Sequence, residues 1–317
     1  AARADTAGVE KMSAIGYSFR TDLLDFAADS PRLDGCARMA SPETMEMFTY
    51  ASPEDSAARR AVIRGIERAT GQPHLKRLYE QFQRELASGV SADDFFTAGV
   101  KKLELDLVYD RAKLLAAPKT GPLVVIANHP FGVLDGVVIC HLMLQLRRDF
   151  RILSNSALYR VPEIYDWLLP IDFNETREAL ATNLKSRAEA RKFLESGGAL
   201  IIFPAGGVAT APSAFARKAV DAEWKPLTAK FILQGKAPVL PIFFHGQNSR
   251  LFQIASQVSM TMRLALIFRE VHRRIGTKLP VSIGDTIPFE RIAEIGDKRA
   301  VMTFLRDSVH RLESDGA

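Results

Sequence analysis

The chain has 317 residues, 47% hydrophobic and 25% charged, so it can bury a large core without disulfide or metal staples and is neither disordered nor fibrous. Its two cysteines, Cys36 and Cys140, form no CxxC or Cys/His pairing, so reduced, buried thiols are expected and a zinc site is not. The net charge of +5 is spread over clusters such as Arg59, Arg60, Arg64 and Arg68; it suits an anionic lipid surface or an acidic carrier, and no recognisable motif supports a nucleic-acid partner.

The first residues, AARADTAGVEKM, carry neither a signal-peptide pattern nor a lipidation motif, and without an initiator Met the true start is expected to lie upstream. Leu33–Pro53 is rich in turn residues. Val62, Ile66 and Ala69 mark a short helix ending near Gly71. Pro73 opens a second, in which Leu75, Leu78, Tyr79, Phe82 and Leu86 share one face; a stripe of that width predicts packing against a sheet rather than membrane anchorage. Ser91 and Asp94 look like the cap of a third helix carrying Phe95, Phe96 and Val100.

The texture changes near Lys102. Leu103, Leu105, Leu107 and Tyr109 alternate with polar residues, which is strand periodicity. After the Gly121-Pro122 turn, Leu123–Ala127 reads as a buried strand and Gly136–Arg148 as a helix apolar almost all round. Asn128, His129 and Asp135 interrupt this apolar stretch, so it falls short of the about 20 unbroken residues that cross a bilayer. Strands follow at Arg151–Leu153, Ala199–Phe203, Pro238–Phe244 and near Val281. Helices follow at Ala179–Glu195, Trp224–Gln234, Ile254–Arg274 and Asp297–Leu312. The loop Val161–Leu169, with Ile164, Tyr165, Trp167 and Leu168 beside Tyr159, is the candidate for contact with a membrane interface. Strands alternating with long helices imply an α/β fold, a mostly parallel central sheet flanked by helices. The boundary is placed near residue 100, between an N-terminal helical region, 1–100, and an α/β catalytic domain, 101–317.

Residues 123–136 read LVVIANHPFGVLDG. A buried strand delivers Asn128 and His129 into a Pro/Gly loop, the place where active sites of open α/β sheets collect. Histidine suits proton transfer near neutral pH, and a carboxylate on its other ring nitrogen fixes the tautomer and stabilises the imidazolium. Asp135 equally suits a plain helix cap, and His129 a core histidine. Residues 200–207, LIIFPAGG, run a second strand into a glycine turn whose amides can face an oxyanion. Residues 237–249, APVLPIFFHGQNS, bring His245, Gln247 and Asn248 to the end of a third, with His245 a rival base.

These three blocks resemble the lysophospholipid acyltransferase superfamily, and within it the bacterial hemolysin-like branch that includes lyso-ornithine-lipid acyltransferases. ANHPFGVLDG matches the first block, FPAGG the third (usually written FPEGTR) and APVLPIFFHGQNS the fourth; IERATGQPHLKRLYEQF also looks like that branch. The resemblance spans residues 60–290. It implies an acyltransferase in which His129, oriented by Asp135, deprotonates an acceptor hydroxyl that attacks the thioester of acyl-CoA or acyl carrier protein. No metal or cofactor is implied. Asn128, Phe131, Gly132, Pro204, Ala205, Gly206, Gly207 and Asn248 are the residues expected to contact substrate. The implied partners are the acyl donor, a lyso-lipid acceptor and the membrane, with the enzyme peripheral on the cytoplasmic face.

The departures from the family pattern are specific. Five residues separate His129 from Asp135 where four are usual, which predicts one extra loop residue before the helix, accommodated at Gly132. The motif glutamate is Ala205 and its arginine Val208, and the second-block region, Leu169-Pro170-Ile171-Asp172, has no arginine at the matching place. Loss of these cations points away from a phosphate-bearing acceptor and toward a lyso-aminolipid. Two alternatives stay open. A 1-acylglycerol-3-phosphate acyltransferase would use Arg177, Arg217 or Lys218 as substitute phosphate ligands near His129. A non-catalytic lipid-binding relative would show His129 and Asp135 pointing apart or buried. No GxSxG elbow supports a serine hydrolase.

Overall fold

The computed structural model describes residue 49 and residues 56–314, apart from 90, 92–93, 157, 159–160, 174–175 and 214–215. Cys36, Tyr159 and nearly all of the turn-rich Leu33–Pro53 segment lie outside the described residues.

Three helices come first: α1 (Ala57–Ala69), α2 (Gln72–Ala87) and α3 (Phe95–Lys102). On α2, Leu75, Tyr79 and Phe82 are buried, as the apolar stripe requires; on α1 the buried side chains are Ile63 and Glu67, while Val62 is 60% exposed. The strand expected over Leu103–Tyr109 shrinks to β1 (Asp106–Val108). Glu104 turns the chain with φ 49°, so Leu103 and Leu105 reach the core from a turn instead of a strand.

The rest is an α/β unit: α4 (Arg111–Ala116), β2 (Leu123–Ala127), α5 (Val133–Leu146), β3 (Phe150–Asn155), β4 (Leu168–Ile171), α6 (Arg177–Glu195), β5 (Ala199–Ile202), α7 (Leu227–Gly235), β6 (Val239–Phe244), α8 (Arg250–Val258), α9 (Met260–Arg273), β7 (Lys278–Ile283), α10 (Phe289–Ala293) and α11 (Lys298–Arg311). The seven strands form one sheet, ordered β1-β7-β6-β2-β5-β3-β4, parallel at every pairing except β6 with β7. Both faces are covered, which is why the central strands are continuous apolar runs. Leu123, Val125 and Ala127 join a core layer with α2, α3 and α5; Val124 and Ile126 join the opposite layer with α6, α7 and α11.

Three local expectations change. The loop Val161–Leu169 is not an exposed membrane element: Pro162–Trp167 is a 3₁₀ turn leading into β4, and Ile164, Trp167 and Leu168 are buried, Trp167 stacking on Phe150. The helix expected over Ile254–Arg274 is two helices, because Ser259 is extended and its Oγ accepts the Met262 N–H, starting a new helix there. The helix after Asn128-His129 starts at Val133 rather than Gly136. No described helix is long and apolar enough to cross a membrane.

Candidate active site

β6, β2 and β5 are adjacent and parallel, so the three motif loops leave the sheet side by side at its carboxyl edge. Asn128 closes the gap between two of them. Its Nδ2 donates to the Phe244 carbonyl at 2.9 Å, and its Oδ1 accepts the Phe244 N–H at 2.7 Å. Both ends of the amide are thereby engaged, and the residue clasps β2 to β6.

His129 is fixed at backbone and ring. Its N–H donates to Asp221 Oδ1 at 3.2 Å, and its carbonyl accepts the Ala209 N–H of the glycine loop at 2.8 Å. The ring stacks on Phe203 with centroids 4.1 Å apart and planes 23° from parallel. Nδ1 lies 3.0 Å from Asp135 Oδ2, within ion-pair distance but off the line of a good hydrogen bond. Such contacts in unliganded sites often tighten only with substrate in place. Nε2 is the ring nitrogen left for other chemistry, and the side chain stays 17% exposed.

Asp135 acts in two ways at once. Oδ2 accepts the N–H groups of Phe131 at 2.8 Å and Gly132 at 2.9 Å, capping α5 as a third-position carboxylate, and the same oxygen faces His129. The residue is fully buried and Oδ1 has no partner. Burial pushes its carboxyl above the usual range, against the opposing pull of His129 and the two amides. Three residues, Pro130, Phe131 and Gly132, separate His129 from the helix start at Val133. Gly132, at φ 84°, turns the chain back over the first turn of α5, and a Cβ there would stand 3.0 Å from Val208 Cγ2.

In the glycine loop the Gly206 N–H is held by the Phe203 carbonyl, whereas the amides of Gly207 and Val208 have no acceptor among the described residues. Gly206 is exposed; Pro204 and Ala205 are buried beneath it. Two cations flank the loop. Lys225 Nζ lies 3.9 Å from where a Gly206 Cβ would stand, and Arg263 Nη2 donates to the Val208 carbonyl at 2.8 Å. Phe131 is 1% exposed with the Arg274 guanidinium 4.3 Å above its ring, and Asn248 is buried with Nδ2 unpartnered. Lys218 pairs with Glu313, just past the end of α11, at 2.7 Å. Among the described residues no three His, Cys, Asp or Glu side chains form a metal site.

His245 diverges from His129. Its Nε2 is 2.8 Å from Ser282 Oγ and its ring meets Phe243, a member of the opposite core layer. Burial holds its imidazole below the ordinary value.

Phe203, Asp221, Lys225 and Arg263 were not singled out from sequence. Phe203 carried a usable signal, since strand alternation puts it on the face of Ile201, toward the layer that holds His129's strand-mates. The other three reach the site from distant segments and left no local signature.

An apolar cavity of about 160 Å³ opens beside this centre, between α2, α3, α5 and α9. Its wall includes Val133 and Leu134, the first turn of α5 next to Asp135, and Leu78, Phe82, Phe95 and Phe268.

A histidine–carboxylate pair and an open glycine loop meet at the carboxyl edge of the parallel sheet, and an apolar cavity lies among the helices that carry Asp135 and its neighbours. A family model for acyltransferases matches residues 90–315, and the chain belongs to that family. It is similar to a lyso-glycine lipid O-acyltransferase of Bacteroides thetaiotaomicron, 24% identical over 251 residues that cover 75% of this chain and 88% of the relative. A lyso-glycine lipid O-acyltransferase of Phocaeicola vulgatus is 24% identical over 206 residues, 62% of this chain and 70% of the relative. Among solved structures, the 1-acyl-sn-glycerophosphate acyltransferase PlsC of Thermotoga maritima aligns over 87% of each chain at 15% identity, with a TM-score of 0.46. The protein is an acyltransferase, and the resemblance of its motif blocks to the lysophospholipid acyltransferase superfamily holds.

Proposed function

We propose that the enzyme transfers a fatty acyl group from a thioester donor, acyl-CoA or acyl carrier protein, to the hydroxyl of a lyso-aminolipid at a membrane surface. The observation that carries this reading is the 3.0 Å approach of His129 Nδ1 to the buried Asp135 carboxylate, with Nε2 left free. Nε2 takes the proton of the acceptor hydroxyl as its oxygen attacks the thioester carbonyl. The Gly207 and Val208 amides face the resulting oxyanion. Collapse breaks the carbon–sulfur bond, and the departing thiolate takes the proton from the imidazolium, giving an ester and a free thiol. The Asp135 carboxylate stabilises the imidazolium between these steps. Part of the acyl chain enters the apolar cavity beside Val133, whose lining is almost wholly apolar.

The head group is read from two supports. The relatives above are named as lyso-glycine lipid O-acyltransferases, and the third block here lacks its motif arginine. A second reading, a phosphate-bearing acceptor such as a 1-acylglycerol 3-phosphate, is favoured by Lys225 and Arg263 beside the glycine loop, since both would hold a phosphate as well as a carboxylate.

The test is thiol release from long-chain acyl-CoA and acyl carrier protein with a panel of lyso-aminolipids and lysophosphatidic acid. Release that depends on a lyso-aminolipid, and not on the phosphate acceptor, supports the first reading. Release with lysophosphatidic acid alone supports the second. No release with any pair counts against both.

A further inference from the structure

Three helices that pack together near the site, α1, α8 and α9, have an unusual surface. On α8, Leu251, Ile254 and Val258 share one face by their three- and four-residue spacing, and they are 48%, 43% and 72% exposed. Met262, in the first turn of α9, and Val62 on α1 are exposed as well. The opposite face of α8 is anchored: Phe252 and Ala255 form a small core with Leu266 and Ile267 of α9, Ile66 of α1, and Val133 and Val208 of the site.

Charge on these helices is one-sided. Arg64 and Arg68 on α1, Arg250 on α8 and Arg273 on α9 are exposed. The helices hold only two carboxylates, Glu67 and Glu270, which are 1% and 5% exposed. A solvated helix face ordinarily mixes both signs. The contrast lies on α6, where the exposed Leu180 and Leu184 sit on a helix that also carries Glu178, Glu189 and Glu195. Exposed apolar side chains on helices whose exposed charges are arginines, with no carboxylate of these helices showing, are the chemistry of a surface lying in the interface of an anionic bilayer.

We infer that α1, α8 and α9 form the surface on which this enzyme docks to an anionic lipid bilayer, with Leu251, Ile254, Val258 and Met262 entering the headgroup–acyl boundary. The inference rests on the proposed lyso-lipid reaction and adds the surface that meets the membrane. It also gives the apolar residues a reason for their position. The small core beneath them includes Val208, next to the open Gly207 amide, and Val133, which lines the apolar cavity, so a lipid leaving the bilayer at α8 stands beside the glycine loop.

The experiment is co-sedimentation of the full chain with phosphatidylcholine vesicles, with and without phosphatidylglycerol. It uses wild type, Leu251→Gln/Ile254→Gln/Val258→Gln, Arg64→Gln/Arg68→Gln and Leu180→Gln/Leu184→Gln. Circular dichroism confirms folding, and turnover of a short-chain lyso-lipid below its micelle concentration reports the reaction separately. Wild type is expected to bind anionic vesicles and to be released as salt rises from about 0.1 to 1 M, where the screening length falls from about 10 to 3 Å. The triple variant is expected to bind at least about tenfold more weakly, the arginine pair roughly tenfold more weakly on anionic vesicles alone, and the α6 variant like wild type. Turnover of the monomeric acceptor should be retained in all of them. Wild type that ignores both vesicles, a triple variant that binds fully, or loss confined to the α6 variant would overturn the inference. Failure of wild type to turn over any monomeric acceptor would instead strike the proposed reaction and leave the vesicle result standing.

Discussion

Two histidines leave the carboxyl edge of the same sheet from neighbouring parallel strands, and the chain treats them differently. His129 follows β2 and turns to the layer of α5, where Phe203 stacks on it and Asp135 meets Nδ1. His245 follows β6 and turns to the other layer, against Ser282 and Phe243, whose ring in turn meets His310 of α11. Motif position alone does not distinguish them. What does is a period-two alternation that sends the rings to opposite faces, and a helix N-terminus that waits on only one face. The lesson is that a sheet edge supplies histidines readily, while a carboxylate placed behind one of them is the rarer event.

The largest expected break in this comparison is His129→Ala, which should lower kcat about 10³-fold, whereas His245→Ala should leave it within about twofold. Equal losses in steady-state thiol release would place the base elsewhere. Next is Asp135→Asn. The amide still accepts the Phe131 and Gly132 N–H groups, so the helix start survives, but it cannot stabilise an imidazolium; kcat should fall about 10²-fold or more with KM little changed. A shift in KM alone would mean that Asp135 serves only as a cap.

A smaller effect sharpens the geometry. Gly132→Ala puts a side chain at φ 84° and 3.0 Å from Val208 Cγ2, which should cost about 1–2 kcal/mol of stability and lower kcat by moving Asp135. Thermal unfolding and turnover measured on the same sample report the two parts. The smallest effect concerns pH. Burial holds His245, with His141 and His310, below the ordinary 6.5. As pH falls through about 6.5 the unfolded chain takes up protons that the folded chain does not, so stability is full above that pH and declines below it. His245→Gln should flatten that decline slightly while the pH profile of turnover stays in place. A changed turnover profile would return His245 to the site.

Much of this was legible before any coordinates. The strand-helix alternation gave the α/β class, and Leu123–Ala127, Ala199–Ile202 and Val239–Phe244 were readable because strands buried on both faces are unbroken apolar runs. Less was readable where local signals conflict. Leu103–Tyr109 alternates like one strand but only Asp106–Val108 pairs as one after a turn at Glu104, and Ile254–Arg274 repeats like one helix yet breaks at the Ser259 cap. The aromatic loop Val161–Leu169 has the composition of an interface and the burial of a core, which composition cannot separate.

The sequence by itself determined that His129 and a glycine loop would end two central strands and that Asp135 would lie near a helix start, because these depend on local periodicity and turn chemistry. Only the tertiary structure decided that Asn128 clasps Phe244, that Phe203 and Asp221 hold His129, that Lys225 and Arg263 flank the loop and that α8 exposes Leu251, Ile254 and Val258. Those are contacts between segments tens of residues apart, and which partner a side chain meets is set by how layers stack, not by the residues on either side of it.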